Sequence, residues 1–423
     1  MLEKPKLFLN LKQFWFSMLF LFFLLTLRLS FLYIEYQHFI EKPFYFTQVE
    51  VLKSYQKTKS EKKYTILKLY SSELHLNFFT TTFYSTKEIH QQLRMKLFPS
   101  KEMRFSEYLG TSFIHSQVNE IFQPVESFYS NAVDFIDNQH ENKMISDFYN
   151  AIFFAHPLEK ELRQQVSVLG VSHLIALSGF HLAILSGLLF FLLRPIYRFF
   201  QQRYFPYRFD LIDVGFLVLV ILAGYVWFVD SPDSLIRSYM MLLIGWFLLL
   251  LGIELLTLSF LTTITLILLI IFPYLLFSLA FWFSIIGVFY IFLLLHYFSY
   301  LPKIMMTLII SFGLFFLMLP VVHMVFPLTT PLQLLSPFLS LFFSAFYPLS
   351  MLLHLLGIGG VFDTSLLQLF TMNSSLKSVL LPSLFTGSYL LLSLGAFYFR
   401  TLFYLLLLSS LTFSMYLFIG FWL

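Results

Sequence analysis

Two histidines and a serine interrupt an apolar run in Gly170-Val-Ser-His173-Leu-Ile-Ala-Leu-Ser178-Gly179-Phe-His181-Leu. An imidazole in hydrocarbon is costly, and it faces a bundle interior, a partner or a water-filled path. Ser178 and His181 stand three apart, close enough to touch on one helix turn. A hydrolase would also need an orienting acid and an oxyanion site. No carboxylate lies nearby in sequence, and only Asp213 or Asp230 could approach in space. Two histidines without a third ligand make an incomplete zinc site, and the chain has no cysteine to complete it. These residues therefore suit a polar lining or a helix break better than catalysis. The plainer alternative is that both imidazoles only bond neighbouring backbone carbonyls. In a continuous helix Ser172, Ala176, Gly179, Ala183 and Gly187 would form a small-residue stripe for close helix packing. Gly170 and Gly179 mark the expected breaks.

A second polar cluster is Asp230-Ser-Pro-Asp233-Ser-Leu-Ile-Arg237-Ser-Tyr-Met-Met241. Its two acids fall in a turn, and Arg237 lies about one turn into the next apolar segment. An arginine there pairs with a carboxylate, a carbonyl or a ligand phosphate, or reaches back to the interface.

The elements carrying these residues are membrane helices. Of 423 residues, 58% are hydrophobic, 57 are Phe and only 12% are charged, and mean hydropathy is +0.78. A soluble domain carries about 25% charge, so a soluble enzyme, a disordered tail and a disulfide scaffold are excluded. The fold class is a polytopic α-helical membrane protein of about ten spans. A first apolar run over 14–34 reads as a signal anchor. Lys4, Lys6 and Lys12 before it favour a cytoplasmic N-terminus. Residues 35–172 should then be extracytoplasmic, and 173–423 form the membrane core. The basic loop Arg194 to Arg208 gives the same orientation. Further spans are expected near 213–229, 235–254, 256–272, 277–297, 304–325, 331–356, 386–399 and 401–423. In that count Arg400 falls on the outer side, against the charge rule.

The insert divides by charge. Counting from Lys42 to Arg104 gives +7, and from Phe105 to Ser172 gives −6. The basic part, 35–104, alternates as strands over Phe46–Leu52 and Tyr64–Tyr70, with a further β-rich stretch over Leu74–Tyr84, which suits a small OB-like barrel. Its candidate DNA contacts are Lys57, Lys59, Lys62, Lys63 and Lys68, with Tyr45, Phe46, Tyr64 and Phe79 for base stacking. A merely solvated charged surface is the alternative. The acidic part, 105–172, reads as helices, with Met144, Phe148, Ile152 and Ala155 at helical spacing and Pro157 as a breaker.

His173-Leu-Ile-Ala-Leu-Ser-Gly-Phe-His181 resembles the signature of the ComEC family of competence DNA-translocation channels. Arg237-Ser-Tyr-Met-Met resembles that family's second motif, and Ala280-Phe-Trp-Phe-Ser284-Ile a third, in matching order and spacing. The resemblance implies an inner-membrane channel for single-stranded DNA, with an OB-like domain after the first membrane segment. It implies a path along His173, Ser178, His181, Arg237 and Ser284, with Gly170, Gly179, Ala183 and Gly187 for packing or breaks. Many members also carry a metallo-β-lactamase-like domain. No His-x-His-x-Asp-His cluster occurs here, so a short, channel-only form without a cofactor or metal is expected, its nuclease a separate chain. There is no phosphate-binding loop ending in Lys-Ser/Thr, so force must come from a cytoplasmic helicase or single-strand-binding protein. A separate DNA receptor and a homo-oligomeric assembly complete the expected partners. The rival readings are a membrane enzyme acting on a lipid-linked or surface polymer, and a small-solute transporter.

Overall fold

The computed structural model describes all residues except 1–6, 9, 60–61, 83–90, 123–127, 230, 253–256 and 422–423, and only the backbone of 56–59, 62–63 and 233. The chain forms two compact units, one of residues 8–128 with 262–281, the other of residues 1–7, 129–261 and 282–423.

The first unit opens with α1 (Leu11–Glu41), started by Asn10, whose side chain accepts the Gln13 amide at 2.9 Å. At 1.5 Å per residue this helix is about 46 Å long, more than the roughly 30 Å hydrocarbon core. Its last turns are aromatic and pack on protein. Phe39 stacks on Tyr45 at 5.0 Å, and the Tyr36 hydroxyl donates to the Met103 carbonyl. Four antiparallel strands follow: β1 (Tyr45–Lys59), β2 (Lys62–Ser71), β3 (Leu76–Thr82) and β4 (Gln92–Phe98). After α2 (Phe105–Leu109) come β5 (Ser112–Phe113) and β6 (His115–Ile121). The sheet order is β5-β3-β2-β1-β4-β6. One segment, 112–121, thus bonds to both edges, parallel to β3 and antiparallel to β4. That curls the sheet around a core of Val49, Val51, Leu67, Leu69, Phe78, Leu93, Met95, Leu97 and Ile114. Period-two alternation puts these inside. The strands run on to Ile121, past the charge boundary at 104, because alternation and net charge are independent signals.

The second unit begins its helices with α3 (Phe128–Asp137), α4 (Lys143–Phe154), α5 (Lys160–Val168) and α6 (Ser172–Ile175). The expected helix and its break at Pro157 appear as α4 and α5. Then come α7 (Gly179–Tyr204), α8 (Asp210–Phe228), α9 (Asp233–Leu250), α10 (Leu258–Ile271), α11 (Leu279–Phe298) and α12 (Lys303–Val322). Residues 262–281, most of α10 and the start of α11, fall in the first unit. Strands β7 (Leu328–Thr329) and β8 (Lys377–Ser378) pair across α13 (Ser336–Leu355) and α14 (Asp363–Phe370). α15 (Ser383–Ala396) and α16 (Arg400–Ile419) follow. Among the described residues seven helices are long and apolar enough to cross a membrane, and three more are apolar but shorter. The chain is a multi-pass membrane protein.

Candidate functional site

The first histidine motif folds as a broken helix. α5 ends in a Schellman turn: the Val171 amide donates to the Val166 carbonyl and the Gly170 amide to Ser167, at 3.1 Å each. Gly170 has φ +70°, and a Cβ there would lie 3.0 Å from Gln333, so glycine is needed for conformation and for space. One turn of α6 follows, the chain extends through Ala176–Ser178, and α7 starts at Gly179.

Ser178 is the N-cap of α7, and its amide donates to Nδ1 of His181 at 3.3 Å. A nitrogen that accepts an amide proton carries none itself, so the neutral ring holds its proton on Nε2. His181 is fully buried, and that Nε2 has no hydrogen-bond partner among the described residues. Phe343 and Tyr347 meet the imidazole edge to face at 5.2 and 4.8 Å. His173 lies differently: it is exposed, with Nε2 3.4 Å from the Ser340 hydroxyl.

α9 reaches the same break. Ser234 Oγ donates to the Leu177 carbonyl at 2.6 Å. A Cβ on Gly179 would lie 2.9 Å from Ser238 Oγ, so glycine is what lets the Ser238 side chain sit this close. Arg237, between those serines, is buried at 5% exposure. The motifs around 173–181 and 237 are thus brought together.

Other expected positions are placed elsewhere. Ser284 is half-buried on α11, with no hydrogen bond to these residues. Ala183 and Gly187 are exposed, and nothing lies within 4 Å of a Cβ built on Gly187. The stripe premise of a continuous helix fails at the break, and of its two glycines Gly179 is closely approached, by the Ser238 side chain, and Gly187 is not. The side chains of Lys57, Lys59, Lys62 and Lys63 lie outside the described residues. Lys68 is half-buried, opposite Phe79 in the β2–β3 register. Tyr45 is held by Phe39 and by bonds to the carbonyls of His38 and Phe39, so its ring is already occupied.

Three groups were not singled out from the sequence, although Phe46 of the first was named there as a stacking residue. On the β-unit, Lys96 Nζ sits 4.0 Å from the Phe44 ring centre and also over Phe46 and Phe98, all three exposed. On α13, Ser336, Ser340, Tyr347, Ser350 and His354 recur at helical spacing, hidden among Phe and Leu. The third is His140, whose Nδ1 meets the Asp363 carboxylate at 2.9 Å and whose Nε2 meets His354 Nε2 at 2.9 Å. Among the described residues no cluster of three or more acidic, histidine or cysteine side chains could hold a metal.

No curated protein and no solved structure matches the chain. The family described as Competence protein matches residues 155–422, which include the broken helix, Arg237 and α13. With more than half of its length matched, the chain belongs to that family, the ComEC/Rec2 competence proteins.

Proposed function

We propose that this protein is an inner-membrane channel that passes single-stranded DNA into the cytoplasm during natural transformation, with no chemistry of its own. One observation carries the reading. His181 is fully buried with Nε2 unpartnered, at a helix break abutted by the segment that holds buried Arg237. An unsatisfied buried donor costs about 1–3 kcal/mol, a cost that a ligand phosphate or base would relieve. Phe343 and Tyr347 close over the imidazole and act as a gate, so the idle channel does not leak.

The β-unit supports the same function. Its pairing, with the last segment parallel to β3 and antiparallel to β4, fits an OB-like barrel. The exposed rings of Phe44, Phe46 and Phe98 around Lys96 offer stacking surfaces beside a positive charge. The lysines of the β1–β2 hairpin would add phosphate contacts. The N-terminus is cytoplasmic and residues 35–172 are extracytoplasmic, on the charge rule. A DNA receptor, a nuclease and a cytoplasmic helicase or single-strand-binding protein are supplied as separate chains.

The test is uptake of fluorescent duplex DNA in a deletion strain. DNA should reach the outer face and stop, with His181→Ala and Arg237→Ala reproducing the block at normal protein levels. Label arriving in the cytoplasm of the deletion strain at the normal rate overturns the proposal.

A further inference from the structure

We infer that α13 is a re-entrant helix that sets Ser340 on the conducting path beside His173, and not a crossing, although it is long and apolar enough to be one. Both of its ends are tied to one short stretch of chain. At the entry end, the Thr330 hydroxyl donates to the Val168 carbonyl. Gln333 Nε2 reaches the Ser167 carbonyl at 3.5 Å, and Ser336 Oγ donates to Gly170 O at 3.1 Å. At the exit end, Gln139 Nε2 donates to the His354 carbonyl at 3.2 Å, and the Gly359 amide donates to Gln139 Oε1 at 3.0 Å. His140 joins His354 to Asp363 there.

The stretch between those anchors, 139–170, does not cross a bilayer. Its longest helix, α4, has 12 residues, about 18 Å, against a core of about 30 Å. It carries an ion pair between Lys143 and Glu159, 74% and 61% exposed, that needs water. Two ends anchored to a stretch that does not cross cannot lie on opposite sides of the bilayer. The start of α13 agrees with this. Ser311 Oγ donates to the Pro337 carbonyl at 2.9 Å, and Phe312 packs on Phe338 at 5.0 Å. Ser311 and Phe312 are at the middle of the span α12, so α13 begins near mid-depth and climbs back.

Non-crossing backbone at membrane depth survives only where protein or a water-filled cavity surrounds it. α13 meets that condition with Ser340 at His173 and with Phe343 and Tyr347 on His181. Its far face, with Phe338, Phe342, Leu349 and Leu352 exposed, suits lipid. The charge rule supplies an independent argument. If α13 crosses, the loop bearing Arg400 falls on the outer side. With α13 re-entrant, α15 and α16 invert, Arg400 becomes cytoplasmic, and it shares that side with Lys303 and the Arg194–Arg208 loop.

The chain has no cysteine, so single cysteines report topology directly. Tyr300→Cys, Ile358→Cys and Tyr398→Cys replace exposed residues and are probed in intact cells with a membrane-impermeant maleimide. Ile358→Cys should label on the side opposite Tyr300→Cys, and Tyr398→Cys on the same side as Tyr300→Cys. The reverse pattern, or all three on one side, overturns re-entrance. This labelling needs no DNA, so it stands or falls apart from the channel proposal. The lining role does rest on that proposal. Ser340→Cys should react with a small charged thiosulfonate and lose DNA uptake at least tenfold when modified. Failure to react, or reaction with uptake intact, overturns the lining role.

Discussion

The imidazole of His181 and the ring of Tyr347 lie 4.8 Å apart at 86°, although they stand 166 positions apart in the sequence. A motif residue at the start of α7 is therefore covered by a residue of the re-entrant helix. Tyr347 is fully buried and also stacks on Phe343 at 5.5 Å. Its ring, more than its hydroxyl, makes these contacts, since the hydroxyl reaches Tyr225 only at 3.5 Å. Tyr347→Phe should leave DNA uptake within about twofold of normal. Tyr347→Ala removes an aromatic from a packed site, a loss of about 3–5 kcal/mol. It should raise proton leak in vesicles while protein remains in the membrane. Tight vesicles with Tyr347→Ala would remove the gate.

Two glycines of one sequence stripe should behave oppositely. Gly179→Ala forces a methyl to within 2.9 Å of Ser238 Oγ, and overpacking of this kind costs about 1–3 kcal/mol. Gly187→Ala meets nothing within 4 Å and, inside α7, should be neutral or stabilise by up to about 1 kcal/mol. Adding Ser238→Gly to Gly179→Ala should restore part of the loss. Melting of the detergent-solubilised variants separates the two. Equal effects at both positions would show that the stripe, not the local contact, decides.

The Asp147 carboxyl on α4 is raised from 3.8 to about 6, first by burial, then by Glu159, with Lys143 opposing. Between those values the folded state binds more protons than the unfolded, so stability falls as pH rises from about 4 to 6. Above 6 the folded state carries the full cost of the charge. Asp147→Asn should therefore melt higher than the parent at pH 7.5 and lose much of the parent's slope between pH 4 and 6. An unchanged slope would mean that other groups set the acid limb.

The short-range signals were legible in the sequence, and the long-range ones were not. α4 and α5 follow from apolar residues three and four apart around Pro157, β1 and β2 from alternation, and β3 from a β-rich stretch. The break at Ser178-Gly179 is local chemistry and was visible as such. The strands β5 and β6 were missed because Ser112–Ile121 sits in an acidic stretch whose charge suggested helices. Hydropathy reads α13 as a span because serines and one histidine barely lower the average of a Phe- and Leu-rich window. Only its tethers to Gly170 and His140 show where its ends lie. His140 and Asp363 stand 223 residues apart, and no spacing rule joins them.

If the β-unit binds single strands through its lysines, affinity should fall steeply with salt. For single strands the slope of log K against log salt is about −0.7 per phosphate contact. Changing Lys57, Lys59, Lys62 and Lys63 together to Gln should flatten the slope by about 3. Binding is measured on full-length protein in nanodiscs with a labelled oligothymidine. Lys96→Gln, which removes the cation over three exposed rings, should weaken binding with a slope change of about 1 or less. A salt-independent affinity in the parent protein would show that the charges do not contact the strand.

His140 holds the end of α13 to α14 through two side-chain contacts, Nδ1 with the Asp363 carboxylate and Nε2 with His354 Nε2, each at 2.9 Å. His354 Nδ1 in turn lies 2.7 Å from the Ser350 carbonyl, which can only accept, so His354 donates from Nδ1 and its neutral ring accepts at Nε2. Asp363→Leu leaves the fully buried His140 ring without its partner at Nδ1, a loss of about 1–3 kcal/mol. Asp363→Asn should cost less, because its amide N–H can donate to Nδ1 while His140 Nε2–H donates to His354. Asp363→Glu keeps the carboxylate and should recover most of the stability. Melting of the detergent-solubilised variants orders the three. Asp363→Leu melting with the parent would show that the contact does not hold the end of α13.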